Sequence, residues 1–131
     1  MKKTVGLMIL LLLLAGCVVD EAIRRYNTAA DRVQLGDPKE RVLSLLMPTQ
    51  EGLSARDRKR PEQYIKDNIR VEIYYFRSLH QPDTLITDDE FTPYVFEDGK
   101  LTAIGWRTLG GPKTQGQTTP ETYIDVQPTV Y

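Results

Sequence analysis

The chain offers few residues to chemistry that needs a nucleophile, a base or a metal ligand: one cysteine, Cys17, one histidine, His80, and one tight acidic cluster, Asp88-Asp89-Glu90. A Ser-His-Asp arrangement or a zinc site would have to use His80, which stands in Leu79-His80-Gln81-Pro82-Asp83, a turn-forming context. The sequence holds no His-x-x-x-His, Cys-x-x-Cys, Gly-x-Ser-x-Gly or phosphate-cradling glycine loop. His80 is therefore expected as a solvated loop histidine. Calcium would want ligands alternating through a glycine-turned loop, which the acidic cluster lacks, so Asp88, Asp89 and Glu90 are expected as solvated charges. An enzyme working through these carboxylates alone stays open as an alternative. The expectation is no enzyme, no metal and no cofactor.

Cys17 differs in kind because of what precedes it. Lys2 and Lys3 are followed by an apolar run from Val5 to Ala15 and then Gly16. That is the order of a secretory leader: charge, a hydrophobic region shorter than the roughly 20 residues of a membrane span, and small residues at the cut. Leu14-Ala15-Gly16-Cys17 looks like a bacterial lipobox, in which the thiol is diacylglycerylated and the leader is cleaved just before it. Residues 1–16 are thus expected as a lipoprotein signal peptide and Cys17 as the lipid attachment point. Each buried acyl methylene contributes about 0.8 kcal/mol, so several chains make release from a bilayer very slow. Val18 is not the aspartate that resembles an inner-membrane retention signal in enteric bacteria. The periplasmic face of the outer membrane is the expected location.

Removing the leader with Lys2 and Lys3 takes the formal charge from −1 to −3. A mildly acidic chain with mixed charges lacks the concentrated basic face of a nucleic-acid binder, so no nucleic-acid partner is expected. The remaining length suits one domain with a small core. With the only cysteine committed to the anchor, no disulfide is available and packing alone must hold the fold.

Ile23, Tyr26, Ala30 and Val33 form one helical stripe within 20–33. Leu35-Gly36-Asp37-Pro38-Lys39-Glu40 predicts a stop and a restart: Gly36 left-handed, Asp37 as N-cap, Pro38 at the first helical position and Glu40 completing a capping box. The second helix runs to about Met47, with Val42, Leu45 and Leu46 on one face and Pro48 ending it. Residues 49–69 are expected as a polar connection in which Pro61-Glu62-Gln63-Tyr64-Ile65 adds a helical turn. Arg56, Arg58, Lys59 and Arg60 within it are expected as a solvated face, with contact to anionic head groups as the alternative.

From Arg70 the period becomes two, and Val71, Ile73 and Tyr75 alternate with Glu72, Tyr74 and Phe76 in a strand ending near Arg77. Asp98-Gly99 predicts a tight primed turn in a hairpin over 91–107. Counting outward pairs Glu97 with Lys100, Phe96 with Leu101, Val95 with Thr102, Tyr94 with Ala103, Pro93 with Ile104 and Phe91 with Trp106. Both faces are apolar, and two short helices cover one, so Phe76, Arg77, Phe91 and Trp106 should include side chains that point outward. Residues 108–131 are expected as a flexible tail, in which Tyr123-Ile124-Asp125-Val126 could add to a sheet edge. The expected fold is α+β, two N-terminal helices on a three-stranded antiparallel sheet, forming one domain over 17–107.

The order of lipobox, helix, Val33-x-x-Gly36, second helix with Val42 and Leu46, Pro48, aromatic strand and glycine-turned hairpin resembles the SmpA/OmlA lipoproteins, accessory subunits of the outer-membrane β-barrel assembly machinery. The sharpest points are Gly36, Tyr74-Tyr75-Phe76-Arg77 and Phe96-Glu97-Asp98-Gly99-Lys100-Leu101. Where the family usually has a glycine before the proline, this chain has Met47. The resemblance implies the two-helix, three-strand fold and a partner surface at the aromatic-arginine strand end, here Tyr74, Phe76 and Arg77, with core packing as the other reading of Tyr74 and Phe76. It also implies partners: barrel-assembly subunits or another envelope protein, and anionic phospholipid. Tyr74, Phe76, Arg77, Phe91 and Trp106 are together the candidate partner-binding residues. The expected role is a lipid-anchored, non-enzymatic scaffold supporting outer-membrane protein assembly or envelope integrity. A paralogous lipoprotein with a different partner, a lipid or small-ligand binder, and a hydrolase inhibitor like the similarly folded β-lactamase-inhibitory proteins are the alternatives.

Overall fold

The computed structural model describes residues 18–81 and 85–112; the leader, Cys17 and the stretch Tyr123 to Val126 lie outside the described residues. The chain begins there with a helix over 18–30 (α1), followed by Lys39–Leu46 (α2). Four strands follow, Glu62–Lys66 (β1), Ile69–Arg77 (β2), Phe91–Glu97 (β3) and Lys100–Ile104 (β4), in one antiparallel sheet of order β1-β2-β3-β4. The class is α+β with two helices, as expected, but the sheet has four strands rather than three.

The added strand is β1, in the stretch expected to be a connection with a helical turn. Asp67 and Asn68 take φ of 52° and 66°, the double left-handed conformation of a primed hairpin turn, and Tyr64 pairs with Val71. Asp98 and Gly99, at φ 48° and 81°, make the same kind of turn between β3 and β4, where the sequence placed it. Glu97 faces Lys100 and Phe96 faces Leu101, but then Val95 faces Ala103 and Tyr94 faces Ile104. Thr102 is the extra residue, and its hydroxyl donates to the Val95 carbonyl at 3.3 Å. This bulge corrects the pairing beyond Leu101 and turns Ala103 to the opposite face.

Helix α1 lines one face with buried Val19, Ala22 and Tyr26 and partly buried Ile23, Ala29 and Ala30; it stops short of Val33. Gly36 stands at φ +91° between the helices, as expected. The restart is built differently. Pro38, not Asp37, is the N-cap of α2 and gives no side-chain cap; the Lys39 amide donates instead to the Gly99 carbonyl at 2.8 Å. Asp37 Oδ2 accepts from the Gln34 amide, and the Asp37 carbonyl accepts from the Leu101 amide at 2.9 Å. The hairpin turn thus satisfies one first-turn amide, that of Lys39, which an Asp37 cap would have served. After Leu46 the chain tightens into a 3-10 turn, Met47–Gln50, so Pro48 ends the α-helix without ending the winding.

The core beneath the helices joins Tyr26, Val42 and Leu46 to Phe76, Tyr94, Phe96 and Leu101. Phe76 stands edge-on to Tyr94 at 5.3 Å, and the Tyr26 and Tyr94 hydroxyls share a hydrogen bond of 2.8 Å. Burial, helped by the Tyr26 hydroxyl, pushes the Tyr94 phenol far above the usual tyrosine range. Each such apolar side chain, fully buried, contributes roughly 1.5–3 kcal/mol.

An added β-carbon at Gly36 would meet nothing within 4 Å, so any penalty there comes from the backbone alone. Gly36→Val should lower stability by about 1–2 kcal/mol, read as a shift of the denaturation midpoint. An unchanged midpoint would reject the left-handed turn.

Candidate interaction surface

Strand β2 sends Glu72, Tyr74 and Phe76 toward the helices and Val71, Ile73 and Tyr75 to the other face. On that second face Val71, Ile73, Tyr75, Phe91 and Val95 form a buried cluster rimmed by half-buried Tyr64, Ile69, Ala103 and Trp106, with Ile86 and Leu109 at its side. No helix among the described residues packs on this face. Its covering is a thin layer of loop and 3-10 turn, which includes Arg107–Leu109.

Trp106 organises the rim. Its ring stacks on Tyr75 at 5.5 Å and 29°, and its indole Nε1 donates to the Phe91 carbonyl at 2.8 Å. The expected strand pairing of Phe91 with Trp106 does not form, because the bulge shifts the register and β4 ends at Ile104; the indole bond to the Phe91 carbonyl is their contact instead. Gly105, at φ +95°, and the Thr102 bulge make the corner that brings the indole round. Lys59 Nζ lies 4.8 Å from the Tyr75 ring centre and bonds Asp88 Oδ1 at 2.8 Å.

Of the five residues expected to bind a partner, Phe76, Arg77 and Phe91 are buried, and Tyr74 and Trp106 are half-buried. Phe76 is core beneath the helices. Tyr74 lies on the same face, edge-on to Phe96 at 5.8 Å and beside Lys39, whose Nζ bonds Glu72 Oε2 at 2.8 Å. That bond to Glu72 raises the lysine above its ordinary range. Phe91 packs on the helix-free side under the Arg77 guanidinium, 5.4 Å from its ring centre. The outward-pointing set is therefore corrected to the rim, in which Trp106 is the only one of the four named for that role.

Arg77 needs a separate account, because a charge only 2% exposed must be paired on every side. Its Nη2 lies 3.4 Å from Glu90 Oε1 and its Nη1 lies 3.7 Å from Asp57 Oδ1. Its Nε donates to the Leu79 carbonyl at 3.0 Å, and its backbone amide donates to Gln50 Oε1 at 2.8 Å. Glu90 accepts in turn from the amides of Gln81 and Thr87 at 3.0 and 2.9 Å. This corrects the expectation of a solvated acidic cluster: Asp88 pairs with Lys59, Asp89 accepts from Gln81 and Thr87, and Glu90 is buried. The capping box expected at Asp37 and Glu40 does not form; a separate one is present at Thr87 and Glu90. Of the basic run, Arg58 donates to the carbonyls of Leu53 and Glu51, so it is not simply solvated.

His80 is exposed, with Nδ1 3.1 Å from Asp20 Oδ1. Among the described residues no group of three His, Cys, Asp or Glu is placed to hold a metal ion. At its rim the second face leaves Tyr64, Ile69, Ala103 and Trp106 half-buried around a buried aliphatic and aromatic centre.

Removing one member of a buried ion pair leaves the other charge uncompensated and commonly costs about 3–5 kcal/mol. Arg77→Ala should lose stability on that scale, while Trp106→Ala, at the half-buried rim, should lose less; equal melting temperatures for Arg77→Ala and the parent would contradict the network. No protein-family model, curated protein or solved structure matches the chain.

Proposed function

We propose that the chain is a lipid-anchored, non-enzymatic periplasmic scaffold of the outer membrane that holds an envelope protein partner and supports outer-membrane protein assembly or envelope integrity. The observation that carries this reading is the apolar second face of the sheet, rimmed by Tyr64, Ile69, Ala103 and Trp106 and packed by no helix among the described residues. Half-buried aromatics around a buried apolar centre suit association with another protein.

The lipobox-like Leu14-Ala15-Gly16-Cys17 and the SmpA/OmlA resemblance supply the compartment and the kind of partner, a barrel-assembly subunit. Two helices against an antiparallel sheet agree with that resemblance; β1 and the burial of Arg77 set this chain apart from its simplest form. No described helix is long and apolar enough to cross a membrane. Attachment in this reading is through Cys17, with anionic phospholipid as a further contact.

Two variants test the reading. Cys17→Ser should abolish incorporation of labelled fatty acid and release the mature domain from the membrane fraction. Trp106→Ala should weaken co-purification of barrel-assembly subunits with the tethered protein while the domain still melts cooperatively, because tryptophan is enriched among the few interface residues whose truncation costs about 2 kcal/mol or more of affinity. Undiminished fatty-acid labelling would remove the anchor, and undiminished co-purification would remove the surface.

A further inference from the structure

The two ends of the sheet are built differently. At one end, Gly36 to Pro38 and the turns Asp67-Asn68 and Asp98-Gly99 interlock, with the Gly36 amide on the Leu101 carbonyl at 2.7 Å and the Asp98 amide on the Arg70 carbonyl at 2.9 Å. At the other end meet the first turn of α1, the end of α2, the 3-10 turns Met47–Gln50 and Ala55–Asp57, and the loop after β2. Leu53 packs there with Val19 and Ala22, His80 reaches Asp20, and Gln50 holds the Arg77 backbone.

Large exposed apolar side chains divide unequally between these ends. Among the described residues they are Val18, Leu35, Met47, Leu79, Leu85 and Ile104. Leu35 alone belongs to the turn end. Met47 closes α2, Leu79 follows β2, Leu85 precedes β3, Ile104 ends β4 and Val18 stands in the first turn of α1. Val18 also directly follows Cys17, and α1 is already helical at residue 18, which leaves no tether between an acylated cysteine and the domain.

We propose that this end of the molecule is a membrane-contact surface on which Val18, Met47 and Leu79 rest in the interfacial layer of the bilayer that holds the acyl chains of Cys17, while the turn end points away from it. The proposal rests on the lipoprotein reading. The occupant follows from continuity: acyl chains at Cys17 bring the bilayer to within a helical turn of Val18, whatever protein is bound elsewhere. The contact is apolar rather than electrostatic, because along the start of α1 and residues 51–62 exposed Arg24, Arg25, Arg56, Arg58 and Arg60 are nearly offset by exposed Asp20, Glu21, Glu51 and Glu62, with Arg24 paired to Glu21. It also places the helix-free sheet face upright beside the membrane instead of against it.

The test uses the full acylated protein in phosphatidylcholine vesicles carrying a nitroxide lipid. Acylation occupies the only native cysteine, so an environment-sensitive dye can be attached singly at Met47→Cys, Leu79→Cys or Leu35→Cys. Dye at 47 and 79 should shift to the blue and be quenched by the nitroxide, with little change on adding salt, while dye at 35 should do neither. Mass spectrometry and vesicle flotation report the anchor separately. A protein that is acylated and floats, yet shows 47 and 79 as exposed as 35, overturns this proposal alone; a protein without acyl mass overturns the anchor and the proposal with it.

Discussion

A sheet that is apolar on both faces, with helices enough for one, is the constraint from which the rest of this structure follows. Phe76, Tyr94, Phe96 and Leu101 take the helices, which bury Tyr26, Val42 and Leu46 against them. Val71, Ile73, Tyr75 and Val95 must then be shielded without a helix. The bulge at Thr102, the corner at Gly105 and the stack of Trp106 on Tyr75 serve that shielding. A thin cover of this sort leaves half-buried aromatic surface, and the proposed scaffold role uses that surface.

The same constraint explains where charge is tolerated inside. Arg77 ends β2 on the second face, where an unpaired guanidinium would be costly, and it is held by Glu90, Asp57 and the Leu79 carbonyl. Because Asp57 and Glu90 come from turns before β1 and before β3, the pairing ties those turns to the end of β2. An arginine at an aromatic strand end is therefore a clasp in this chain rather than an exposed recognition group.

Much of the fold was legible in the chain because local rules governed it. Gly36, Asp98-Gly99 and the alternation from Val71 to Phe76 each act within a few residues, and each appears where expected. β1 was not legible: Glu62-Gln63-Tyr64-Ile65-Lys66 is polar at three of five positions, follows a proline suited to a helix start, and turns through Asp67-Asn68 without a glycine. Long-range satisfaction of amides also escaped the sequence, since the Gly99 carbonyl caps α2 from a hairpin far along the chain. The candidate surface was legible only in part. That the sheet has two apolar faces could be read from alternation; which residues end up under the rim depends on the Thr102 bulge and on Glu90, neither of which has a local signature.

Crosslinking in intact cells tests most directly whether the helix-free face meets another envelope protein. A photoreactive residue placed at Ile69 or Ala103, both half-buried on that face, should capture a discrete envelope protein, whereas one at exposed Thr28 on α1 should not. Capture from all three positions alike, or capture at Ile69 and Ala103 of nothing but this chain's own residues 113–131, would contradict the account.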